Sequence, residues 1–214
     1  MPETALGRRQ REQVRHRREV LAAAIQLFAE KGFNATTVQE VAQAAEFGVG
    51  TIYRLFPGGK DEIYLALKQR VVAAFEQELE YSFRGVDDPL EQVRRYIKAS
   101  AQVYASHPRE MGLYLQETAG AGFDLSRGLP DELARRYRAC NERALRALTA
   151  AADQGLLHDL EPRAALLFLR MTLNGFLMNW LQSPQSQPLD QTLRLVERVF
   201  FHGVLAPGAG QSPA

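Results

Sequence analysis

The stretch TTVQEVAQAAEFGVGTIYRLF, residues 36–56, sets Thr51, Tyr53 and Arg54 among apolar neighbours within a segment of about two helical turns. An arginine presents a planar fork of donors that matches guanine O6 and N7 or a phosphate. The side chains of Thr51 and Tyr53 suit phosphate oxygens or a thymine methyl, and Gly50 lets another backbone approach closely. Gln39, earlier in the stretch, has the amide that pairs with adenine or reaches the backbone of a nucleic acid. No nucleophile–base pair, paired carboxylates or phosphate-cradling glycine loop accompanies these residues, so the chemistry they suit is recognition rather than turnover.

Helices must position them. Apolar residues Val20, Leu21, Ala24, Ile25, Leu27 and Phe28 recur at steps of three and four, which predicts a helix from about Glu12 to Lys31 ended by Gly32. A second, short helix is expected over Val38 to Ala45, with Thr37 as N-cap and Glu40 at the spacing of a capping box. Its buried face would be Val38, Val41, Ala42 and Ala45. Gly48 suits a tight turn, and a third helix from Val49 to Phe56 turns Ile52 and Leu55 or Phe56 inward before Pro57-Gly58-Gly59. Two short helices joined by such a turn form a helix-turn-helix, and a DNA major groove about 12 Å wide admits the second of them.

Here the sequence resembles the tetracycline repressor (TetR) family of transcriptional regulators. The resemblance rests on Gly32-Phe33, Thr36-Thr37-Val38, Val41-Ala42, Ala45, Gly50-Thr51-Ile52-Tyr53, Phe56 and Lys60-Asp61-Glu62-Ile63, and it covers about residues 12–68. It implies DNA contacts by Thr37, Gln39, Val49, Gly50, Thr51, Tyr53, Arg54 and Lys60. Two features depart from the family pattern. Glu46-Phe47-Gly48 stands where Gly-Val-Ser is usual, which removes the common serine cap, and Pro57-Gly58-Gly59 is one residue longer than the usual link. The resemblance further implies a variable small-molecule pocket in the C-terminal helices and a homodimer through the last two.

The remainder of the chain fits an all-α architecture of about nine helices, with no alternating strand pattern. A long helix is expected from Lys60 to Arg84, followed by helices over about Leu90 to Ser106, Arg109 to Ala119, Asp131 to Gln154, Pro162 to Gln182, and one containing Leu189 to Val204. The expected domains are a helix-turn-helix DNA-binding domain over 8–58 and a helical effector-binding and dimerisation domain over 59–206. Residues 207–214 have the composition of a disordered tail. Tyr104, Met111, Tyr114, Leu115, Phe123, Tyr137, Phe168 and Met171 are candidates to line an apolar cavity, with His107, Gln116, Glu117 and Asn174 as polar candidates. The helix over 164–181 is apolar nearly all round, so one side can face its own domain and the other a partner, with Leu173 and Leu177 as dimer positions.

Charge and composition bound the partners. The formal net charge is only +1, but residues 8–18, RRQREQVRHRR, carry six arginines against one glutamate, an electrostatic footprint for a polyanion. Arg170, Asn174 and Asn179 interrupt the longest apolar run, which argues for a buried helix and against a membrane partner. The first residues lack the apolar core of a secretory signal, and Cys140 is the only cysteine, so a cytoplasmic location is expected and no internal disulfide is possible. His107 has no His/Cys/Asp cluster beside it, and no metal, cofactor or catalytic residue is expected. The expected function is a sequence-specific, DNA-binding transcriptional regulator, a repressor released from a palindromic operator by a small, largely apolar effector. The alternatives are an all-helical enzyme, for which a catalytic constellation is lacking, and a helical protein-interaction module with a basic arm.

Overall fold

Helical periodicity runs through the whole chain, and the structure, a computed structural model that describes residues 7–118, 126, 129–158 and 160–204, is correspondingly all-α. Among the described residues there are nine helices: α1 (Arg8–Lys31), α2 (Val38–Ala44), α3 (Val49–Leu55), α4 (Gly59–Ser82), α5 (Pro89–Ser106), α6 (Pro108–Thr118), α7 (Asp131–Asp153), α8 (Pro162–Gln182) and α9 (Leu189–Val204). They fall into two compact units, Met1–Arg70 and Val71–Ala214. The tail 207–214 and Phe123 lie outside the described residues.

In the first unit, α1 begins four residues earlier than its apolar pattern implies. The backbone N–H of Gly7 donates to Gln10 Oε1 (3.0 Å), and Arg8–Glu12 and Arg15–Glu19 pair across one turn, so the arginine-rich start is helical without any buried face. Further along, Val20, Leu21, Ala24, Ile25 and Phe28 are buried against α2 and α3. Gly32 ends the helix at φ 85°, and the buried Thr36 hydroxyl donates to its carbonyl (2.9 Å).

The expected capping box of α2 is formed. Thr37 Oγ1 accepts from the Glu40 backbone N–H (3.2 Å), while the Thr37 backbone N–H donates to Glu40 Oε2 (2.8 Å). Glu40 also pairs with Lys31 at 2.6 Å, which fastens the end of α1 to the start of α2. Val41 and Ala42 are the fully buried members of the expected apolar face, and Val38 and Ala45 are half-buried.

The second unit is arranged around α5, which packs against α6, α7, α8 and α9. Alanines 134, 144, 147 and 151 along the buried side of α7 let its neighbours approach closely, while Val93, Ile97, Leu148, Leu169 and Phe200 fill the core. Two buried tyrosine–asparagine pairs cross between its helices. The Tyr96 hydroxyl donates to Asn141 Oδ1 (2.7 Å), linking α5 to α7, and the Tyr104 hydroxyl donates to Asn174 Oδ1 (2.9 Å), linking α5 to α8. Arg136 on α7 makes a two-pronged bond to Glu76 on α4, at 3.0 and 2.6 Å. Cys140 is buried on α7, and that burial pushes its thiol up to about 12, which keeps it in the unreactive protonated form.

The Lys31 ammonium, with the Thr37 backbone N–H and hydroxyl behind it, lowers the Glu40 carboxyl from its ordinary 4.5 to about 2. A depressed carboxylate stabilises the folded state above its unfolded value, and that contribution is lost as pH falls toward the folded value. Urea unfolding should therefore show wild type ahead of Glu40→Gln above about pH 4.5, with the difference shrinking as pH falls toward about 2. A gap that does not change with pH would show that the Glu40 charge is not what closes the box.

Candidate functional site

Seven residues make a poor helix on their own, so α3 depends on what stands behind it. Ile52, Leu55 and Phe56 are fully or almost fully buried, as expected, and fix α3 to the first unit. Arg17, a member of the arginine run, is the residue that sequence reasoning missed. Its guanidinium donates to the Leu55 carbonyl at the end of α3, lies 4.0 Å from the centre of the Phe56 ring, and stands 3.8 Å from the Glu62 carboxylate. A cation on the last carbonyls of a helix satisfies groups the helix cannot bond itself and complements its dipole. The signal was present in the spacing, because Arg17 lies one turn before Val20 and Leu21 on the side of α1 that turns inward.

The outer side of α3 is polar and exposed. Tyr53 is 48% exposed, Arg54 and Gly50 are exposed, and Val49 and Thr51 are half-buried. Among the described residues Arg54 has no ion-pair partner, and it shares a surface groove with Arg9, Glu12, Gln13 and His16 of α1. Thr37 and Gln39, at the start of α2, are exposed as well. Lys60, expected at a phosphate, has partners within the unit. Its ammonium donates to the Phe33 carbonyl (2.8 Å) and more weakly to that of Asn34 (3.4 Å), and it lies 4.4 Å from the centre of the Phe33 ring, so it tethers the loop after α1.

Both departures from the family pattern acquire a structural explanation. Glu46 sits at φ 59°, the left-handed conformation that glycine adopts without cost, so the turn keeps its geometry at the expense of backbone strain. Phe47 is covered edge-on by the His16 ring at 4.9 Å, and its N–H donates to the Ala42 carbonyl (2.8 Å). Gly48 starts α3 with extended backbone angles and without a side-chain cap. In the longer link, Gly59 has φ 61°, and a Cβ there would lie 3.2 Å from the Tyr53 ring, so the extra glycine leaves room for that ring.

A cavity lies within the second unit. Of the sequence candidates, Tyr104, Met111, Tyr137 and Asn174 line it. They are joined by Val71, Val72 and Phe75 on α4 and by Tyr96, Ser100, Val103, Arg170 and Leu173. The free space is about 30 Å³, room for about two waters, and a pocket for a small organic ligand is about ten times larger. Burial pushes the Tyr96 and Tyr104 phenols upward, so both stay neutral hydrogen-bond donors. His107, a polar candidate, is instead the C-cap of α5 and is not among the described lining of the cavity; its Nδ1 lies 3.0 Å from the Ser106 hydroxyl. The side chains of Tyr114, Leu115, Gln116 and Glu117 lie outside the described residues.

Two cavity candidates are placed elsewhere. Phe168 and Met171 lie on the outer face of α8, 40% and 46% exposed, because the helix buries Leu166, Leu169, Leu173 and Leu177 and turns the intervening apolar residues outward. The same geometry corrects the expected dimer positions, since Leu173 and Leu177 are core residues of the unit itself.

Replacing Glu46 by glycine removes the left-handed strain without removing a buried contact, because Glu46 is exposed. Chemical denaturation should show Glu46→Gly more stable than wild type by about 1 kcal/mol. A loss of stability would place the strain elsewhere.

With this geometry in hand, comparisons with known proteins agree. Residues 20–67 match the family model for bacterial regulatory proteins, tetR family. The chain is similar to the HTH-type transcriptional regulator HbdR of Aromatoleum sp. (strain CIB), 29% identical over 134 residues that are 63% of this chain and 58% of HbdR. It is also similar to the HTH-type transcriptional regulator RutR of Escherichia coli (strain K12), 24% identical over 92% of this chain and 94% of RutR. Among solved structures, PfmR from Thermus thermophilus superposes with a TM-score of 0.70 at 23% identity, covering 86% of this chain and 97% of PfmR. The ketosteroid transcriptional regulator KstR2 of Mycobacterium tuberculosis superposes with a TM-score of 0.71 at 19% identity, covering 89% and 95%. These likenesses carry the fold across both units, while the family model and the helix-turn-helix lie together in the first. Residues 20–67 thus carry the family domain of bacterial regulatory proteins, tetR family, within an all-helical fold that the chain shares with solved TetR-family structures.

Proposed function

We propose that the chain is a sequence-specific DNA-binding transcriptional regulator, a repressor that leaves a palindromic operator when a small molecule enters the cavity of its second unit. The observation that carries the reading is α3 itself: a two-turn helix anchored from behind by Ile52, Leu55, Phe56 and Arg17, with Tyr53 and Arg54 exposed on its outer side. Such a helix is the shape and polarity that a major groove accepts. In this reading Arg54 reads a guanine or binds a phosphate, and Tyr53, Thr51 and the Gly50 backbone contact the strand. Val49, Thr37 and Gln39 flank them. The exposed arginines of α1 add a sequence-independent phosphate attraction. Lys60 serves the site by holding the loop between α1 and α2.

Two copies are needed to read a palindrome, and the outer face of α8 and α9 supports their pairing. Leu167 (54% exposed), Phe168, Met171, Leu195 and Val199 place five large apolar side chains on these two helices. α8 has the length and hydropathy of a membrane span, but only by composition; its inner face packs on α7 and α9. A homodimer through α8 and α9 covers the exposed set. An effector that binds more tightly to the form with low operator affinity releases the DNA by shifting populations. The proposed role is recognition without turnover, and its setting is the cytoplasm, where the operator is.

Operator binding should separate the two kinds of contact. Gel-shift titration on a duplex selected from a random pool should show Arg54→Ala losing roughly ten- to hundred-fold in affinity, with relaxed preference at one base pair per half-site. Arg9→Ala should weaken binding to all duplexes alike and lower the salt slope by about one. A wild-type affinity for Arg54→Ala would remove α3 from the groove.

Dimerisation has its own test. Met171→Glu puts a charge into the exposed apolar face without touching the core. Sedimentation should find wild type dimeric and the variant monomeric with the same helical content; a monomeric wild type, or a variant that stays dimeric, would contradict pairing through this face.

A further inference from the structure

Arg9, Glu12, Gln13 and His16 occupy positions i, i+3, i+4 and i+7 of α1, one face of the helix, and with Arg54 and Leu55 of α3 they wall an open groove of about 470 Å³ in the first unit. Arg17 continues the stripe of Arg9 and Gln13 one turn further on and donates to the Leu55 carbonyl, so the two walls are fastened to each other. The half-buried His16 ring is held in place by Phe47, edge-on at 4.9 Å. Arg9, Gln13 and Arg54 are exposed, and among the described residues neither arginine has an ion-pair partner and the Gln13 amide makes no hydrogen bond. Their neighbours differ: Arg8 is paired with Glu12 (3.3 Å) and Arg15 with Glu19 (3.6 Å). Two guanidiniums and an amide thus share one concave surface next to the exposed side of α3, and the acid among them is tied to Arg8. Like charges on a shared groove repel each other, and an anion between them relieves that repulsion.

We propose that this groove seats one backbone phosphate of the operator in each half-site, held by the Arg9 guanidinium and the Gln13 amide, beside the base that Arg54 reads. The seat rests on α3 lying in the major groove, and it turns the general attraction of the arginine run into one contact at a defined position. The non-bridging oxygens of a phosphodiester accept the parallel donors of a guanidinium and an amide N–H together, and bonds to a charged oxygen are stronger than neutral ones. Such contacts carry no sequence information, but they fix the register and orientation of a reading helix on the duplex. Arg9 and Gln13 stand on α1, whose Arg17 is bonded to the end of α3, so a phosphate in the seat sets how α3 enters the groove. Glu12 lines the same groove and repels the phosphate, which leaves less attraction for a strand laid across α1 in any other register.

The test uses the full-length protein and the duplex selected from a random pool, with a neutral methylphosphonate placed at each backbone position in turn, symmetrically in both half-sites. Fluorescence anisotropy should show wild type losing about ten-fold in affinity when the phosphate beside the guanine protected by Arg54 is neutralised. In Arg9→Ala and Gln13→Ala the loss at that position should disappear, while losses at other phosphates stay as in wild type. Arg9→Lys should keep part of it, since the charge remains without the fork. Glu12→Gln should bind the unmodified duplex about two- to five-fold more tightly than wild type. A loss at that phosphate undiminished in both alanine variants, or losses that fall evenly along the strand in Arg9→Ala, would overturn the seat. So would weaker binding by Glu12→Gln, which places a base amino group rather than a phosphate against the carboxylate. Inorganic phosphate that displaces the duplex better than chloride at equal ionic strength, an advantage lost in Arg9→Ala, would give the groove to a small anion instead. Guanine methylation on the same duplex reports on α3 separately: N7 protection kept beside an even Arg9→Ala loss removes the seat alone, and absent N7 protection in wild type removes the major-groove reading and the seat with it.

Discussion

A two-turn helix has no stability of its own in water, since nucleating it fixes several residues for each hydrogen bond gained. Everything that α3 does therefore depends on how it is held. The hold consists of Ile52, Leu55 and Phe56 buried beneath it and of Arg17, which bonds the Leu55 carbonyl, covers the Phe56 ring and faces Glu62. Glu62 also accepts from the Gly58 backbone N–H (2.8 Å), so the end of α3, the glycine link and the start of α4 share one polar cluster. With its back fixed in this way, the helix can leave Tyr53 and Arg54 exposed. The six arginines of the N-terminal run are thus not equivalent: Arg17 is spent inside the unit, while Arg9 and its exposed neighbours remain at the surface.

The second unit follows a different constraint. Its helices pack with small residues and join two buried polar pairs across α5, so that Tyr96 and Tyr104 of the cavity are held by Asn141 and Asn174. Polar groups with such partners specify one arrangement, because any shift leaves a buried donor or acceptor unmatched. A ligand that enters must therefore compete with defined bonds rather than fill a ready-made void, a physical basis for two alternative states. The outer faces of α8 and α9 meet the opposite condition, exposing apolar groups that water does not favour.

Much of this was legible in the residues. Spacing at three and four located every helix to within a few residues, since caps and breakers such as Thr37, Gly32, Pro89 and Pro162 mark their ends by local chemistry. The α2 capping box and the inward side of α3 were legible for the same reason. What escaped depends on contacts between distant segments. Arg17 reads as one more surface arginine until Leu55, 38 residues away, comes beside it. The tether from Lys60 to the Phe33 carbonyl, 27 residues away, is equally invisible in the sequence. Phe168 and Met171 could not be separated from Leu169 and Leu173 by hydropathy, because α8 is apolar on both its inner and outer faces and only packing tells them apart. Glu46 is instructive in another way: it stands where glycine is usual in the family pattern, and its backbone takes the glycine conformation.

The central claim is that α3 lies in the major groove, and guanine methylation reports on that groove directly, since N7 faces it. On the tightest duplex selected from a random pool, the full-length protein should protect guanine N7 positions in two symmetric half-sites about one helical turn apart, and Arg54→Ala should lose protection at one position in each. Protection confined to adenine N3 in the minor groove, or a binding pattern without paired half-sites, would contradict the account.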